Sequence, residues 1–544
     1  MKHLRLSRRR FFITTAVTAA AAAAGIWFMP RSREKISGSL LGPSTALGHK
    51  LRDGFNFPEP VTTEQVDIAI VGGGISGLAA GYRLKSRTSL NFRLLELEPE
   101  IGGNARAGGN AISRYPWGAH YVPLVDAETT EVQRLFEDFG IITGYDKQGL
   151  AQYNPYYLCA DPQERLYQHG RWQEGLIPQL GLAEADREQI TAFFARMESL
   201  KSAHGSDGRK LFALPLDHSS EDREWRDLDL MSFSEWLKRA GFTSPPLLWY
   251  LNYACRDDFG TTLQDTSAWA GLFYFAARNP NPANSEAHNV LTWPEGNAWL
   301  AERLAAPLIS DTQTGALVTR IRNHSDGVEV DYWHAATQSA RRIVARALVL
   351  AIPRTIAARV AQDTRLNLSA DGFNYTPWAV ANVTLDRPPA GYGESLSWDN
   401  VIYDSPLLGY VVATHQRLES VRSATVLTYY WPLTHTAPAA ARREAQQRGH
   451  DEWSDLFLSE LLRIHPELRD HVRHIDVWVW GHGMIRPEPG FIWGEARQRA
   501  ARHQPPYFFA HSDLSGISVF EEAYTRGVQS ADAAAQFLAN PARA

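Results

Sequence analysis

Cysteine is almost absent from this sequence of 544 residues, which contains only Cys159 and Cys255. Two cysteines are too few for a disulfide framework or for a cysteine-rich zinc or iron–sulfur site. An excess of basic residues is also missing, since 55 lysine and arginine residues stand against 60 aspartate and glutamate residues. We therefore expect no nucleic acid partner and no bound metal, and any redox chemistry needs an organic cofactor.

Lysine is scarce as well, because only 8 of the 55 basic residues are lysine and none lies beyond Lys238. The remaining composition is that of a globular protein, with 44% hydrophobic and 21% charged residues, which excludes a disordered chain. The length exceeds that of one small domain several times. The sequence therefore predicts a folded protein of several lobes.

Long uncharged runs are confined to the N-terminus. Residues 7–12 are Ser-Arg-Arg-Arg-Phe-Phe, and residues 13–29 carry no charge. This order of segments resembles a twin-arginine export signal. It implies recognition by the twin-arginine export machinery and a location in the periplasm or on the outer face of the bacterial inner membrane. The 17 apolar residues would span roughly 26 Å as a helix, so cleavage and retention as a membrane anchor both remain open.

We assign residues 1–30 to this signal or anchor. Residues 31–62 contain several Gly, Pro and Ser and little periodicity, so they are predicted to form a linker or an extended arm.

A dinucleotide-binding signal opens the folded part of the chain. Residues 66–71 (VDIAIV) predict a buried strand and lead into glycines at Gly-x-Gly-x-x-Gly spacing. The first glycine turns the chain, the second lets the backbone approach a pyrophosphate, and the third lets the helix pack on the strand. A second apolar run ends at an acid that is placed to accept hydrogen bonds from a ribose. The predicted contacts are Gly72, Gly74, Ile75, Ser76, Gly77 and Glu96.

The segment 95–122, LELEPEIGGNARAGGNAISRYPWGAHYV, resembles the second FAD signature of the amine oxidase and phytoene desaturase superfamily. The resemblance implies FAD rather than NAD as the cofactor. It places Gly103, Asn104 and Arg106 along the pyrophosphate and Ala119 beside the isoalloxazine. Asn104 occupies the position where arginine is usual, and flavin-dependent sugar mutases show the same departure. Arg106 is expected to supply the missing charge.

Further motifs of this superfamily follow in its order. Residues 316–321 resemble its adenine-side strand, which contains Val318, and 507–527 resemble its closing FAD motif, in which Asp513 would bond the ribityl chain. The implied fold class is α/β, with a Rossmann-like FAD-binding domain of the GR2-type flavoprotein fold and a discontinuous α+β substrate domain. The FAD-binding domain is assigned to 64–125, 291–360 and 471–540, and the substrate domain to 126–290 and 361–470.

The substrate domain is predicted to mix helices and strands. Periodicity indicates helices over 131–139, 183–200 and 232–240, and strand-like runs occupy 379–385 and 425–431. Together these segments are expected to form a discontinuous cap over the flavin.

The chemistry is expected to differ from that of true amine oxidases. In them a lysine holds a water beside flavin N5 on the strand that here spans 380–384, which contains no lysine; Asn382 or an arginine is the alternative group at this place. One wall of the aromatic pair that flanks an amine is also missing, because Gly483 occupies it opposite Phe520. These departures favour another dehydrogenation, a desaturation or a redox-neutral flavin reaction.

His120 and His482 are the polar candidates for catalysis near the flavin, by their positions in the motifs; the alternative for each is a structural histidine. The sequence thus predicts an exported FAD-dependent oxidoreductase that removes hydride from a small organic substrate. The substrate and the electron acceptor stay open. Two alternatives also stay open, namely a redox-neutral flavin-dependent isomerase or mutase and a flavin-binding protein without catalysis.

Replacing Arg8, Arg9 and Arg10 together by lysine is expected to hold the protein in the cytoplasm, because the export receptor recognises an arginine pair and not charge alone. Arg10 is included since Arg9 and Arg10 would otherwise form a shifted pair. Fractionation of cells that produce the variant or the wild-type chain measures the effect. Undiminished export of the triple variant would reject the twin-arginine route.

Overall fold

The computed structural model describes residues 36–366, 368–418 and 423–540. The predicted signal or anchor, residues 1–30, lies outside the described residues. Within the described ranges, no helix combines the length and the apolar character needed to cross a membrane.

A sheet of seven strands contains the predicted dinucleotide-binding strand. Its parallel part consists, in spatial order, of Thr312–Gln313, Phe92–Leu95, Thr63–Val71, Ser339–Leu350 and Tyr507–Phe509. Gly327–His334 and Ala316–His324 continue the sheet by antiparallel pairing. Side chains of Thr63–Val71 enter two separate cores, because Ile68 and Ile70 pack on one face and Ala69 and Val71 on the other.

The parallel strands end along one edge of this sheet. Thr63–Val71, Phe92–Leu95, Ser339–Leu350 and Tyr507–Phe509 all run in the same direction, so their carboxyl ends face the same side. In open α/β sheets this edge is where nucleotide ligands bind. The residues that follow these four strands are therefore brought together by the topology.

Two helices cross at a glycine on one face of the sheet. Helix Ile75–Arg87 follows the glycine loop, and Phe520–Ala539 is the last helix of the described chain. A Cβ at Gly527 would lie only 2.2 Å from the carbonyl oxygen of Ser76, and Ser76 Oγ donates to the carbonyl oxygen of Ala523 at 2.8 Å. Only glycine permits this approach, which locks the two helices together.

A second sheet has eight strands. Every residue of Tyr375–Leu385 is buried, and this strand pairs with Val472–Ile485 on one side and with Thr425–Pro432 on the other. The order of the sheet is Leu40–Leu41, Val472–Ile485, Tyr375–Leu385, Thr425–Pro432, Tyr410–Val412, Asp399–Ile402, Glu164–Gln168 and Arg171–Glu174.

A helical cluster with its own core packs beside the sheets. Helices Glu184–Lys201, Phe233–Arg239, Pro245–Phe259 and Ala268–Ala276 form it. The first two agree with the predicted helices at 183–200 and 232–240, and the predicted helix at 131–139 is Thr130–Asp138. The other two are apolar over most of their length and show little helical periodicity, so the pattern did not reveal them.

The remaining elements connect these units. Their helices are Thr45–Arg52, Arg223–Arg226, Ala298–Ala305, Arg354–Val360, Pro438–Gln447, His450–Ile464 and Glu495–Ala501. Their strands pair as Tyr121–Pro123 with Val290–Thr292, Ala107–Gly109 with Arg114–Pro116, and Ile142–Tyr145 with Ala151–Tyr153.

The α/β fold class predicted from the sequence is confirmed, whereas the domain boundaries stay a prediction. Val472–Ile485, which the sequence analysis assigns to the FAD-binding domain, is a strand of the eight-stranded sheet. The predicted linker, 31–62, contains the strand Leu40–Leu41 and the helix Thr45–Arg52. Both differences arise from pairing between segments that are far apart in the chain, which local sequence patterns do not report.

Candidate functional site

A cavity that is partly open to solvent lies at the carboxyl edge of the parallel strands, with about 1500 Å³ that protein atoms do not fill. Ten of the twelve residues predicted to contact the cofactor line it. These ten are Gly72, Gly74, Ile75, Ser76, Glu96, Gly103, Asn104, Ala119, Val318 and Asp513.

The three motif glycines have different surroundings. A Cβ at Gly72 would lie 2.3 Å from the carbonyl oxygen of Ala351, and one at Gly77 would lie 1.8 Å from the carbonyl oxygen of Gly72. These two glycines serve the packing of the fold, and Gly77 does not line the cavity. At Gly74 the nearest atom would be 3.9 Å away, so a side chain there would occupy the cavity itself. This is the space that a pyrophosphate needs.

Glu96 is fixed in the orientation that a ribose contact requires. Its Oε2 accepts the N–H of Gly73 at 2.6 Å and its Oε1 accepts the N–H of Glu98 at 2.8 Å. Burial raises the pKa of Glu96, while these two backbone donors oppose the shift. The carboxylate keeps further lone pairs for hydroxyl groups in the cavity.

Arg106 is not at the position that the sequence analysis gives it. It does not line the cavity, because its Nη1 donates to Glu98 Oε2 at 3.1 Å and its guanidinium lies 4.7 Å from the ring of Trp478. Asn104 does line the cavity, and its Nδ2 donates to the carbonyl oxygen of Gly483 at 2.6 Å. In the described chain, neither residue therefore brings a full positive charge to the predicted pyrophosphate.

A second cavity of about 900 Å³ adjoins the first. The two share Asn104, Ala119, Asn297, Gly483, Ser518, Val519 and Phe520 as lining residues. The start of helix Phe520–Ala539 therefore lies at their junction. The walls of the second cavity are largely aromatic and include Tyr121, Trp378, Tyr430, Trp480 and Phe520.

Carboxylates outnumber cations on the wall of this second cavity. Asp257, Asp258 and Glu521 line it, and Arg278 is the single lysine or arginine among the described residues that line either cavity. Arg278 is already paired, because its Nε donates to Glu521 Oε1 at 3.0 Å. Two carboxylates therefore remain without a compensating charge when all three are ionised.

The pKa values of the aspartates reflect this arrangement. Burial, followed by the repulsion of Asp258 and Glu164, raises the pKa of Asp257 to about 7. Burial also raises the pKa of Asp258 to about 6, although Arg278 opposes this shift. An opposite charge in the cavity would lower both values by favouring the ionised forms.

Unpaired polar atoms belong to the same wall. Asp258 Oδ2, Glu521 Oε2 and Asn297 Oδ1 are buried acceptors without a hydrogen-bond partner in the described part of the chain, and Trp378 Nε1 is a buried donor without one. Buried polar groups in proteins nearly always have partners. Three acceptors against one donor match a ligand with several N–H groups.

The two predicted catalytic histidines lie in different places. His120 lines the second cavity and stacks on Tyr430 with 4.4 Å between the ring centres. His482 lines only the first cavity. Burial lowers the pKa of each to about 4, so both imidazoles are neutral at neutral pH. Neither adds charge to the site.

The strand where the family resemblance expects a lysine presents apolar groups instead. Trp378 and Val380 line the second cavity. Asn382, the alternative group, is buried, and its Nδ2 donates to the carbonyl oxygen of Pro116 while its Oδ1 accepts from Thr428. Asn382 is therefore not available to take the place of the lysine.

Four residues of the second cavity were not predicted from the sequence, namely Asp257, Asp258, Arg278 and Glu521. One signal for the aspartates was present, because they lie in the last turn of helix Pro245–Phe259, where carboxylates oppose the helix dipole. Adjacent acids at the end of an apolar helix indicate a role other than helix stability. The ion pair of Arg278 with Glu521 spans 243 residues and left no local pattern.

The geometry fits FAD. The open space at Gly74, the oriented carboxylate of Glu96 and the buried carboxylate of Asp513 lie along one cavity. Asp513 Oδ2 also accepts the hydroxyl of Tyr375 at 2.5 Å, which fixes its orientation. The second cavity places an aromatic, acidic chamber beside the FAD cavity, where an organic substrate would meet the cofactor.

Comparisons with known proteins agree with this geometry. A family model described as flavin containing amine oxidoreductase matches residues 75–535. A segment of 74 residues is 39% identical to protoporphyrinogen oxidase 2, chloroplastic/mitochondrial, of Arabidopsis thaliana, and it covers 14% of this chain and 14% of that protein.

Solved structures resemble the whole fold. Putrescine oxidase bound to putrescine covers 88% of this chain and 100% of its own, with a TM-score of 0.61 and 16% identity. A CLA-producing fatty acid isomerase from P. acnes covers 87% of this chain and 98% of its own, with a TM-score of 0.58 and 16% identity. At these identities the matches establish the fold alone.

Gly74→Val is expected to give a folded protein without FAD, because the new side chain finds free space in the protein but fills the pyrophosphate position. Flavin absorbance per protein and far-ultraviolet circular dichroism measure the two effects. Gly77→Val is the contrasting variant, which is expected to lower the yield of folded protein since its Cβ meets the backbone at 1.8 Å. A Gly74→Val protein with full flavin content would contradict the assignment.

Oxygen is expected to reoxidise the reduced protein slowly, because no lysine among the described residues lines either cavity to hold a water as the family resemblance describes. Stopped-flow recovery of the flavin spectrum measures the rate. A quinone mixed with the same reduced sample is the comparison and is expected to react faster. Rapid oxygen-dependent recovery with formation of peroxide would contradict this expectation.

Proposed function

Since this chain belongs to the family of flavin-containing amine oxidoreductases, we propose that it removes a hydride from a small organic substrate that carries a protonated amine. The chain is a FAD-dependent oxidoreductase of amine oxidase-like fold. The missing lysine favours a reaction other than amine oxidation. The protonated amine proposed here replaces that preference.

The observation that carries the proposal is the excess of carboxylates in the second cavity. Asp257, Asp258 and Glu521 face one guanidinium, and Asp258 Oδ2 and Glu521 Oε2 lack donors in the described chain. An ammonium group supplies three N–H donors and one positive charge. It would donate to the unpaired oxygens and compensate one of the two uncompensated carboxylates, and the aromatic walls would stabilise it further.

Charge also separates the candidate substrates suggested by the relatives. Putrescine carries ammonium groups, whereas a fatty acid carries a carboxylate. A carboxylate would meet two uncompensated aspartates in a half-buried site, which is strongly unfavourable. Arg278 does not offset this repulsion, because Glu521 already binds it. The cavity therefore favours an amine over an acid such as a fatty acid.

Protonation of the substrate is the step that these residues would control. FAD, when bound in the first cavity, supplies the hydride acceptor. A carbon beside nitrogen gives up hydride from the neutral amine, so the ammonium must first lose a proton. Asp257 lines the same cavity, and its carboxylate, which the cation keeps ionised, is suited to accept that proton. The aromatic walls orient the substrate and exclude water.

Export remains part of the proposal. It is supported by the twin-arginine pattern of residues 7–12 and the uncharged run 13–29, both outside the described residues. The twin-arginine route would suit a FAD enzyme, because the protein can bind its FAD before it leaves the cytoplasm. Its signal is recognised by a receptor.

Anaerobic mixing with primary and secondary amines is expected to bleach the flavin, whereas fatty acids of similar size are expected to leave it oxidised. Asp257→Asn and Asp258→Asn should each raise the KM for the amine by roughly tenfold to a hundredfold, because a charged hydrogen bond is lost. Asp257→Asn should also lower kcat, because the proton acceptor is lost. Asp326→Asn, at a surface position where the side chain is 82% exposed, is the matched control.

Two outcomes would contradict the proposal. Bleaching by acids but not by amines would overturn the assigned charge of the substrate. Turnover of a substrate without any bleaching would favour the redox-neutral isomerase or mutase instead.

A further inference from the structure

An N-terminal arm, residues 38–58, is attached to the edge of the eight-stranded sheet. Its strand Leu40–Leu41 runs parallel to Val477 and Trp478. The N–H of Val477 donates to the carbonyl oxygen of Ser39 at 2.9 Å, and the N–H of Ser39 donates to Asp476 Oδ1 at 3.0 Å. The arm is therefore part of the fold and does not merely connect two segments.

Gly38 shows how closely the arm approaches the sheet. Its φ is +152°, and a Cβ there would lie 1.7 Å from the carbonyl oxygen of Ile475. No other residue fits without moving the backbone. The path of the arm is thus set at its first described contact.

Ser44 connects the arm to the FAD cavity. Its N–H donates to Glu98 Oε1 at 2.9 Å and its Oγ donates to Glu98 Oε2 at 2.8 Å. The N–H of Glu98 in turn donates to Glu96 Oε1, the carboxylate assigned to the ribose. Glu98 is 8% exposed, so a lost donor there would not be replaced freely by water.

The helix Thr45–Arg52 covers the outside of the cavity wall. Leu47 and Leu51 pack in one cluster with Leu97, Leu317 and Trp333. Leu97 and Leu317 also line the FAD cavity. The same two leucines therefore contact the arm on one side and the cofactor space on the other.

We propose that this arm is a working part of the FAD site, so that docking of the arm and binding of FAD stabilise each other. Ser44 is the positioning residue, because it holds Glu98 and through it Glu96. Linkage makes the effect reciprocal: if the docked arm raises the affinity for FAD, bound FAD must equally favour the docked arm. The proposal depends on FAD binding and not on the identity of the substrate.

The first test measures FAD release from the holoprotein by the rise of flavin fluorescence on dilution. Ser44→Ala is expected to release FAD roughly threefold to tenfold faster, because one of the charge-assisted donors to Glu98 is lost. Gly38→Val is expected to act in the same direction by displacing the strand of the arm. Ser86→Ala is the matched control, since Ser86 is exposed on helix Ile75–Arg87 and its Oγ contacts only the carbonyl oxygen of Arg83.

The second test uses the wild-type chain, so it does not depend on how a variant folds. Trypsin cleaves after Lys50 and Arg52, both within the arm helix. Cleavage there is expected to be slower in the holoprotein than in the same protein stripped of FAD, and added FAD should restore protection.

Two results would overturn the proposal. An unchanged rate of FAD release in Ser44→Ala, with the melting temperature lowered equally with and without FAD, would show that the arm stabilises the fold alone. Cleavage at Lys50 and Arg52 that does not respond to FAD would show that the arm and the cofactor are not coupled. Neither readout involves turnover, so failure here leaves the proposed substrate untouched.

Discussion

The contact of Gly77 with the carbonyl oxygen of Gly72 fixes the start of helix Ile75–Arg87. The positions of both cavities depend on this contact. With the helix this close, the N–H of Gly73 reaches Glu96, and the carbonyl oxygen of Gly73 accepts the N–H of Gly102 at 2.8 Å. The helix also provides the surface on which Gly527 rests. The last helix is thereby aimed at the junction of the cavities, where its first residues line both of them.

The second cavity differs from the first in the number and the pKa values of its acidic residues. The first cavity is built from backbone groups and two buried carboxylates, an arrangement that many dinucleotide sites share. The second holds aspartates whose pKa values are raised by burial, and such perturbed groups concentrate at functional sites. The missing lysine and the acids of the cavity are compatible. The lysine would affect the reoxidation of the flavin by oxygen, whereas the acids affect the recognition of the substrate.

Local patterns in the sequence predicted only one part of the cofactor site. The glycine spacing and the acid after the second strand depend on contacts within about thirty residues, the size of one βαβ unit, and Gly72, Gly74, Ile75, Ser76 and Glu96 line the cavity. The other five predicted residues that line it followed from the family resemblance. Arg106 differs, because Glu98 and Trp478 bind it and a motif does not reveal such competition. Asp257 and Asp258 were missed since the cap joins the flavin only through tertiary packing. Residues 31–62 were predicted as a linker or an extended arm, but the strand Leu40–Leu41 was missed because two residues have no periodicity.

The central claim is that the second cavity attracts cations, and binding of a cation that cannot be oxidised tests it directly. Benzyltrimethylammonium can be titrated against the holoprotein by its effect on the flavin spectrum, with phenylacetate as the anion of similar size. Because Asp257 and Asp258 ionise near pH 7 and pH 6, the Kd for the cation should fall as pH rises from about 5.5 to about 8. A Kd that does not change with pH, or tighter binding of phenylacetate, would contradict the account.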